Sequence, residues 1–187
     1  MTHSQFPVFK NHINLSAVFG NMNRSEHVLI VLHNQKGDYW LGAKPKFYPP
    51  GIFRLVGGGV EAGESPSEAV IREAAEELQI KISVDDIKPL AKIITTGEFK
   101  GKTFKNSTHL FEYIVADSSQ LTPSDDIAYL QKMTIDELQQ LIENYQNLSA
   151  NDWFIAGDIY RHCWRDYGQM YGFIHQVALD LTKVTEA

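Results

Sequence analysis

A chain of 187 residues with 43% hydrophobic and 21% charged side chains is long enough for one good core, or for one domain with an appendage. Its formal net charge of −6 argues against broad electrostatic binding to duplex nucleic acid or to an anionic membrane; small phosphorylated ligands stay open, because a bound cation can neutralise them locally. Cys163 is alone, so no intramolecular disulfide and no cysteine-based zinc site is expected, which suits a reducing cytoplasm; no secretory leader and no apolar run of about 18 residues is apparent.

In chain order, residues 1–26 show no clear period and read as an N-terminal extension with room for a short leading strand. Residues 27–33 (HVLIVLH) predict a strand apolar enough to be central. Residues 36–38 make a turn, and 39–43 return as a second strand. Residues 44–51 hold three prolines and read as a loop. Residues 52–56 lead into Gly57, Gly58 and Gly59, which allow tight turns and close backbone approach to a ligand. Arg54 on this segment is a substrate-binding candidate.

The next stretch carries most of the functional information. Ser65 is a predicted N-cap, Pro66 fits the first helical position, and Glu68 completes a capping box. Glu73, Glu76 and Glu77 fall at i, i+3 and i+4 and share one helix face. Val70, Ile71, Ala74, Ala75 and Leu78 occupy the opposite arc, so one face buries itself while the other masses negative charge. Such repulsion destabilises an isolated helix, and a hard divalent ion held by oxygen ligands offsets it. Without the surrounding glycines, Glu64 and Arg72, a solvated acidic face is the simpler reading. Arg72 is placed to orient Glu73 or Glu64 by a bidentate contact.

Residues 58–80 (GGVEAGESPSEAVIREAAEELQI) resemble the Nudix box, G-x5-E-x7-R-E-U-x-E-E-x-G-U, in which U is a bulky apolar residue. Gly58, Glu64, Arg72, Glu73, Glu76, Glu77 and Ile80 match as they stand, and Ala74 is a small version of the first apolar position. Gln79 departs from the final glycine, and Val56 stands where a proline is usual. The resemblance implies an α/β fold: an α/β/α sandwich with a mixed sheet. It also implies water attack on a pyrophosphate phosphorus of a nucleoside diphosphate linked to another moiety. Glu73, Glu76 and Glu77, with the backbone carbonyl near Gly57, would hold Mg²⁺, or Mn²⁺ in its place. The general base in the family is sometimes a box glutamate and sometimes an acid elsewhere.

Beyond the box, strands are expected near 80–84, 87–95 and 108–116, with a polar loop over 97–107. Lys100 and Lys102 in that loop, with Lys105, are candidates to meet substrate phosphates. Glu112 lies between Leu110 and Ile114 on a predicted strand, where an unpaired carboxylate is costly. It reads as an extra ligand or base, as a partner of a core arginine, or as solvent-facing. Glu98, Asp125 and Asp126 are rival acids on flanking loops. His33, His109, His162 and His175 show no metal spacing.

Thr134 to Glu137 form a second capping box, opening a helix to about Tyr145. Residues 152–167 and 169–183 read as two more helices around Gly168, crowded with Trp153, Phe154, Tyr160, Trp164, Tyr167, Tyr171 and Phe173. The expected organisation is an extension over 1–26, a hydrolase domain over 27–147 and a C-terminal helical extension over 148–187 packed on it. That aromatic extension reads as packing, or as a lid, a base-stacking wall or a homodimer surface. The expected partner is a small nucleotide, with no duplex nucleic acid and no membrane; a non-hydrolytic ligand-sensing module is the alternative. Gln79 is expected either in the left-handed geometry of the glycine it replaces, which the matching Ile80 favours, or at negative φ with the helix end rearranged.

Overall fold

The computed structural model describes residues 6–17, 25–124, 126–156 and 160–183. In chain order the elements are β1 (Val8–Asn14), β2 (Glu26–His33), β3 (Tyr39–Ala43), α1 (Pro66–Leu78), β4 (Lys88–Phe99), β5 (Lys102–Ile114), β6 (Tyr129–Met133), α2 (Ile135–Gln146), β7 (Trp153–Ala156), β8 (Tyr160–Cys163) and α3 (Trp164–Thr182).

β1 to β6 form one mixed sheet in the order β1-β4-β5-β2-β3-β6. β1 runs parallel to β4 and β2 parallel to β5, while β4–β5, β2–β3 and β3–β6 are antiparallel. The apolar run of β2 is interior, buried on both faces as its composition predicts. One face of the sheet, with Val28, Ile30, Leu32, Trp40 and Phe111, packs against Ala69, Val70, Ala74 and Leu78 of α1. The other face, with Leu29, Val31, Leu41, Ile93 and Leu110, packs against α2 and α3 through Leu138, Leu141, Tyr145, Met170 and Ile174. The result is three layers with the sheet in the middle. No helix among the described residues is long and apolar enough to cross a membrane.

β2 and β3 pair only near their shared turn, at Leu32–Trp40 and His33–Tyr39. Residues 54–59 wedge into the opening between them. Gly42 bridges Arg54, Ile30 bridges Val56 and His27 bridges Gly59. Gly57 makes the wedge possible: it has φ 135, and a Cβ there would lie 2.3 Å from the Val28 carbonyl oxygen.

Several expectations need correction. Residues 80–83 form no strand; they lead into a short 3-10 turn at Val84–Asp86. The supposed polar loop over 97–107 is a hairpin, because Lys100 and Gly101, with φ 51 and 75, make a tight two-residue connection that lets β4 and β5 run on. The edge strand β6 was not anticipated. Residues 152–167 are not one helix: β7 and β8 pair antiparallel from Trp153–Cys163 to Ala156–Tyr160, and α3 begins at Trp164. Gly168 does not break a helix but lies inside α3, where a Cβ would come within 2.0 Å of the Tyr145 carbonyl oxygen. It is the point at which α3 closes on α2. The C-terminal region therefore adds one helix and a hairpin rather than two helices.

Gln79 caps α1 with φ 55 and ψ 28, the left-handed geometry expected, and its N–H bonds the Ala74 carbonyl. A side chain in that region costs on the order of 1 kcal/mol. Gln79→Gly is therefore expected to stabilise the chain by roughly 0.5–1 kcal/mol, seen as a rise of a few degrees in Tm. A lower Tm would show that the glutamine side chain contributes more than the strain it carries.

Candidate functional site

The acidic face of α1 is built from its first turn onward. The Ser65 hydroxyl accepts the Glu68 N–H, and Glu68 accepts the Ser65 N–H at 2.8 Å, so the capping box fixes where the helix begins. The far end is held from outside: Thr122 and Ser124 donate backbone N–H groups to the Leu78 and Glu77 carbonyls, both at 2.9 Å. These carbonyls have no partner within the helix. Between the two ends, Glu73 and Glu77 are buried, at 7% and 3% exposure, and Glu76 faces solvent.

Glu77 joins the helix to the wedge. Its Oε2 accepts the Gly57 N–H at 2.9 Å, and its Oε1 accepts Lys44 Nζ at 2.6 Å. Lys44, itself buried at the end of β3, also pairs with Asp126. Glu73 lies against Gly58, where a Cβ would stand 2.4 Å from its Oε1. Arg72 ties the remaining acids together. It forks onto Glu64 through Nε and Nη2 at 2.9 and 3.0 Å. Its Nη1 donates to Glu73 at 2.8 Å and Glu76 at 3.1 Å, and Nη2 also reaches the Gly59 carbonyl at 2.9 Å. The bidentate role read from the sequence is thus seen on Glu64.

Among the described residues, Glu64, Glu73, Glu76, Glu77 and Asp126 share two cations, Arg72 and Lys44. Burial pushes the Glu73 carboxyl above the ordinary value and repulsion from Glu77 and Glu76 adds to this, against the hydrogen bond from Arg72. Glu64 is held below its ordinary value by Arg72. The side chains do not converge on one point: no group of three or more His, Cys, Asp or Glu among the described residues is arranged around a common ion position. The donors are nonetheless hard oxygens, in excess over their counter-charges, beside a backbone turn. That chemistry fits Mg²⁺ or Mn²⁺.

The structure brings Gly57, Gly58, Glu64, Arg72, Glu73, Glu76 and Glu77 together. Lys44 and Ser124 belong with them and were not anticipated; Asp126, a rival acid in the sequence, joins through Lys44. Asp125 lies outside the described residues. Arg54 stands three residues before Gly57, with its guanidinium between the Tyr48 and Tyr171 rings. Lys100 and Lys102 sit exposed at the tip of the β4–β5 hairpin, with Glu98 nearby, and none is tied to the cluster.

Glu112 requires a correction. It accepts from His33 Nε2 at 2.7 Å and from Lys88 Nζ at 3.0 Å. It lies beside Val31 in register and follows the Leu110 face of the sheet, the face covered by α2 and α3 and opposite α1. It is a paired buried acid outside the cluster.

Residues 23–154 match the profile of the NUDIX domain family. The chain belongs to the Nudix family. It is 36% identical over 74 residues to a protein named Nudix hydrolase from Deinococcus radiodurans, covering 36% of this chain and 43% of that one. The match thus spans less than half of that relative's length. Two solved structures share the Nudix fold. RenU, a Nudix hydrolase from M. smegmatis, aligns with a TM-score of 0.52 at 12% identity, over 86% of this chain and 88% of that one. The E. coli dihydroneopterin triphosphate pyrophosphohydrolase aligns with a TM-score of 0.50 at 17% identity, over 68% of this chain and 88% of that one. At these identities the likeness is one of fold.

The placement of Glu112 gives a stability prediction. Burial alone would raise its carboxyl, but Lys88 and His33 outweigh that and hold it below the ordinary value. A depressed folded pKa adds stability that is complete above the unfolded value and is lost as pH falls through the folded value. Glu112→Gln should therefore lower Tm at pH 7, and its difference from wild type should shrink as pH drops below about 4.5. A difference that persisted unchanged at pH 3 would contradict the pairing.

Proposed function

We propose that this Nudix chain is a Mg²⁺-dependent pyrophosphohydrolase acting on a nucleoside diphosphate linked to another moiety. The observation that carries the reading is the pair of buried carboxylates, Glu73 and Glu77, pressed onto the Gly57–Gly58 turn within a group of five acids that shares two cations. In this reading the hydrolase unit spans 27–147 and the segment 148–187 packs on it.

Glu73, Glu76 and Glu77, with the Gly57 carbonyl, would hold the ion. When bound, it supplies charge neutralisation on the phosphates and a lowered pKa for a bound water. The remaining work belongs to the chain. Arg72 keeps Glu64, Glu73 and Glu76 in register through its hydrogen bonds. The Gly57 N–H fixes one oxygen of Glu77, so the carboxylate cannot rotate freely. Lys44 balances Glu77 and Asp126. In this reading the proton acceptor is one of the acids gathered here, and Asp126, paired with Lys44, is the flanking candidate. Positioning and electrostatics of this kind are the main contributions a protein makes to phosphoryl chemistry.

Phosphate release from a panel of dinucleoside polyphosphates, nucleotide sugars, dinucleotide coenzymes and nucleoside triphosphates, with and without Mg²⁺, tests the reading. Hydrolysis of at least one class that stops on chelation is the expected result; no hydrolysis of any class would favour a ligand-sensing role. On the best substrate, Glu76→Gln or Glu77→Gln should lower kcat by about 100-fold or more with the fold intact by circular dichroism. Activity within a few-fold of wild type for both would remove them from the site.

Saturating Mg²⁺ should also raise Tm, because it binds the folded cluster and relieves its repulsion. The rise should be larger for wild type than for Glu73→Ala. Equal shifts in the two proteins would count against a specific ion site at Glu73.

A further inference from the structure

Arg54 differs from the other arginines whose side chains are described. Arg72 is satisfied by carboxylates and a carbonyl, and Arg165 pairs with Asp166. Arg54 has no carboxylate within ion-pair distance among the described residues. Its Nη1 donates to the Tyr171 hydroxyl at 3.2 Å, and its Nε is buried without a hydrogen-bond partner. The guanidinium carbon lies 5.2 Å from the centre of the Tyr48 ring and 5.0 Å from that of Tyr171. Two rings attract a cation, but they do not accept the five N–H donors of a planar fork. A charge in this setting is costly without an anion.

Among the described residues no carboxylate contacts Arg54, and Glu77 acts on it only at longer range, but the surroundings hold it firmly. Its backbone exchanges two hydrogen bonds with Gly42, at 2.8 and 3.1 Å. His175 accepts the Leu55 N–H at 3.1 Å and donates to the Tyr171 carbonyl at 2.7 Å, so α3 is locked to this segment. Burial pushes His175 down to about 4, so it adds no positive charge at neutral pH. Tyr48 lies on the same loop as Lys44, which bonds Glu77. Arg54 therefore lies within electrostatic reach of Glu77, through the loop that carries Lys44 and Tyr48, and the residue as a whole is half-buried.

We propose that Arg54, between Tyr48 and Tyr171, anchors a second phosphoryl group of the substrate, one that is not hydrolysed. This rests on the pyrophosphohydrolase reading and narrows it. The substrate class is one with phosphates beyond the scissile anhydride, rather than a diphosphate joined to an uncharged sugar. A guanidinium fork and a phosphate match in shape as well as charge, and a lysine at the same place would not.

Two measurements test this. The first is calorimetric titration with inorganic tripolyphosphate in the presence of a chelator. Arg54→Met is expected to bind about tenfold more weakly than wild type, and Arg54→Lys to fall between them. Thermal unfolding verifies each variant; should Arg54→Met not fold, Arg54→Lys is still expected to lose about threefold. Unchanged affinity in the folded variants overturns the proposal. The second compares diadenosine tetraphosphate with diadenosine diphosphate, which share both nucleosides. Arg54→Lys is expected to reduce kcat/KM for the tetraphosphate selectively, chiefly through KM; equal losses on both overturn the proposal. If wild type hydrolyses neither compound, that outcome bears against the hydrolase reading, and the tripolyphosphate titration decides the role of Arg54 by itself.

Discussion

The contact between Glu77 and the Gly57 N–H is the constraint on which the arrangement depends. It joins a helix on one face of the sheet to a segment wedged between two strands that have parted. The wedge needs Gly57, because any Cβ there would meet the Val28 carbonyl. The helix needs Ala74 and Leu78 buried on its inner side to hold Glu77 at the sheet. A buried carboxylate that accepts a backbone N–H and an ammonium is tolerated; the same carboxylate with either partner removed would carry a large desolvation cost. Stability and site geometry are thus fixed by the same few atoms.

Charge then spreads outward from that point. Arg72 is shared among three glutamates and a carbonyl, and Lys44 between Glu77 and Asp126. Neither cation is surplus, and Glu73 is raised above its ordinary value, first by burial and then by repulsion from Glu77 and Glu76. Where the wedge meets α3 the account is reversed. Arg54 is a cation with no carboxylate in contact among the described residues, set among tyrosines contributed by the loop after β3 and by α3. The Lys44–Tyr48 loop lies between these two surroundings and touches both.

What was legible in the sequence was what local rules decide. The capping boxes at Ser65 and Thr134 set two helix starts, and the i, i+3, i+4 spacing put three acids on one face. The left-handed Gln79 followed from the glycine pattern it interrupts. Contacts between distant segments were not legible. The partners of Glu112 are His33 and Lys88, 79 residues upstream in one case, and no periodicity reports such a meeting. Tyr171 reaches Arg54 across 117 residues. The aromatics between Trp153 and Trp164 have a spacing that helix and strand both accommodate, and β-branched and aromatic enrichment was the signal for the hairpin. Gly168 read as a break because a glycine that ends a helix and one that admits a neighbouring helix look alike in sequence.

The most direct measurement is anomalous scattering from crystals of the wild-type chain grown with Mn²⁺. The account predicts a single strong peak at about 2.1–2.2 Å from carboxylate oxygens of Glu73, Glu76 and Glu77 and from the Gly57 carbonyl. A peak away from these residues, or none at saturating Mn²⁺, would contradict the claim that this acidic helix face is a metal centre.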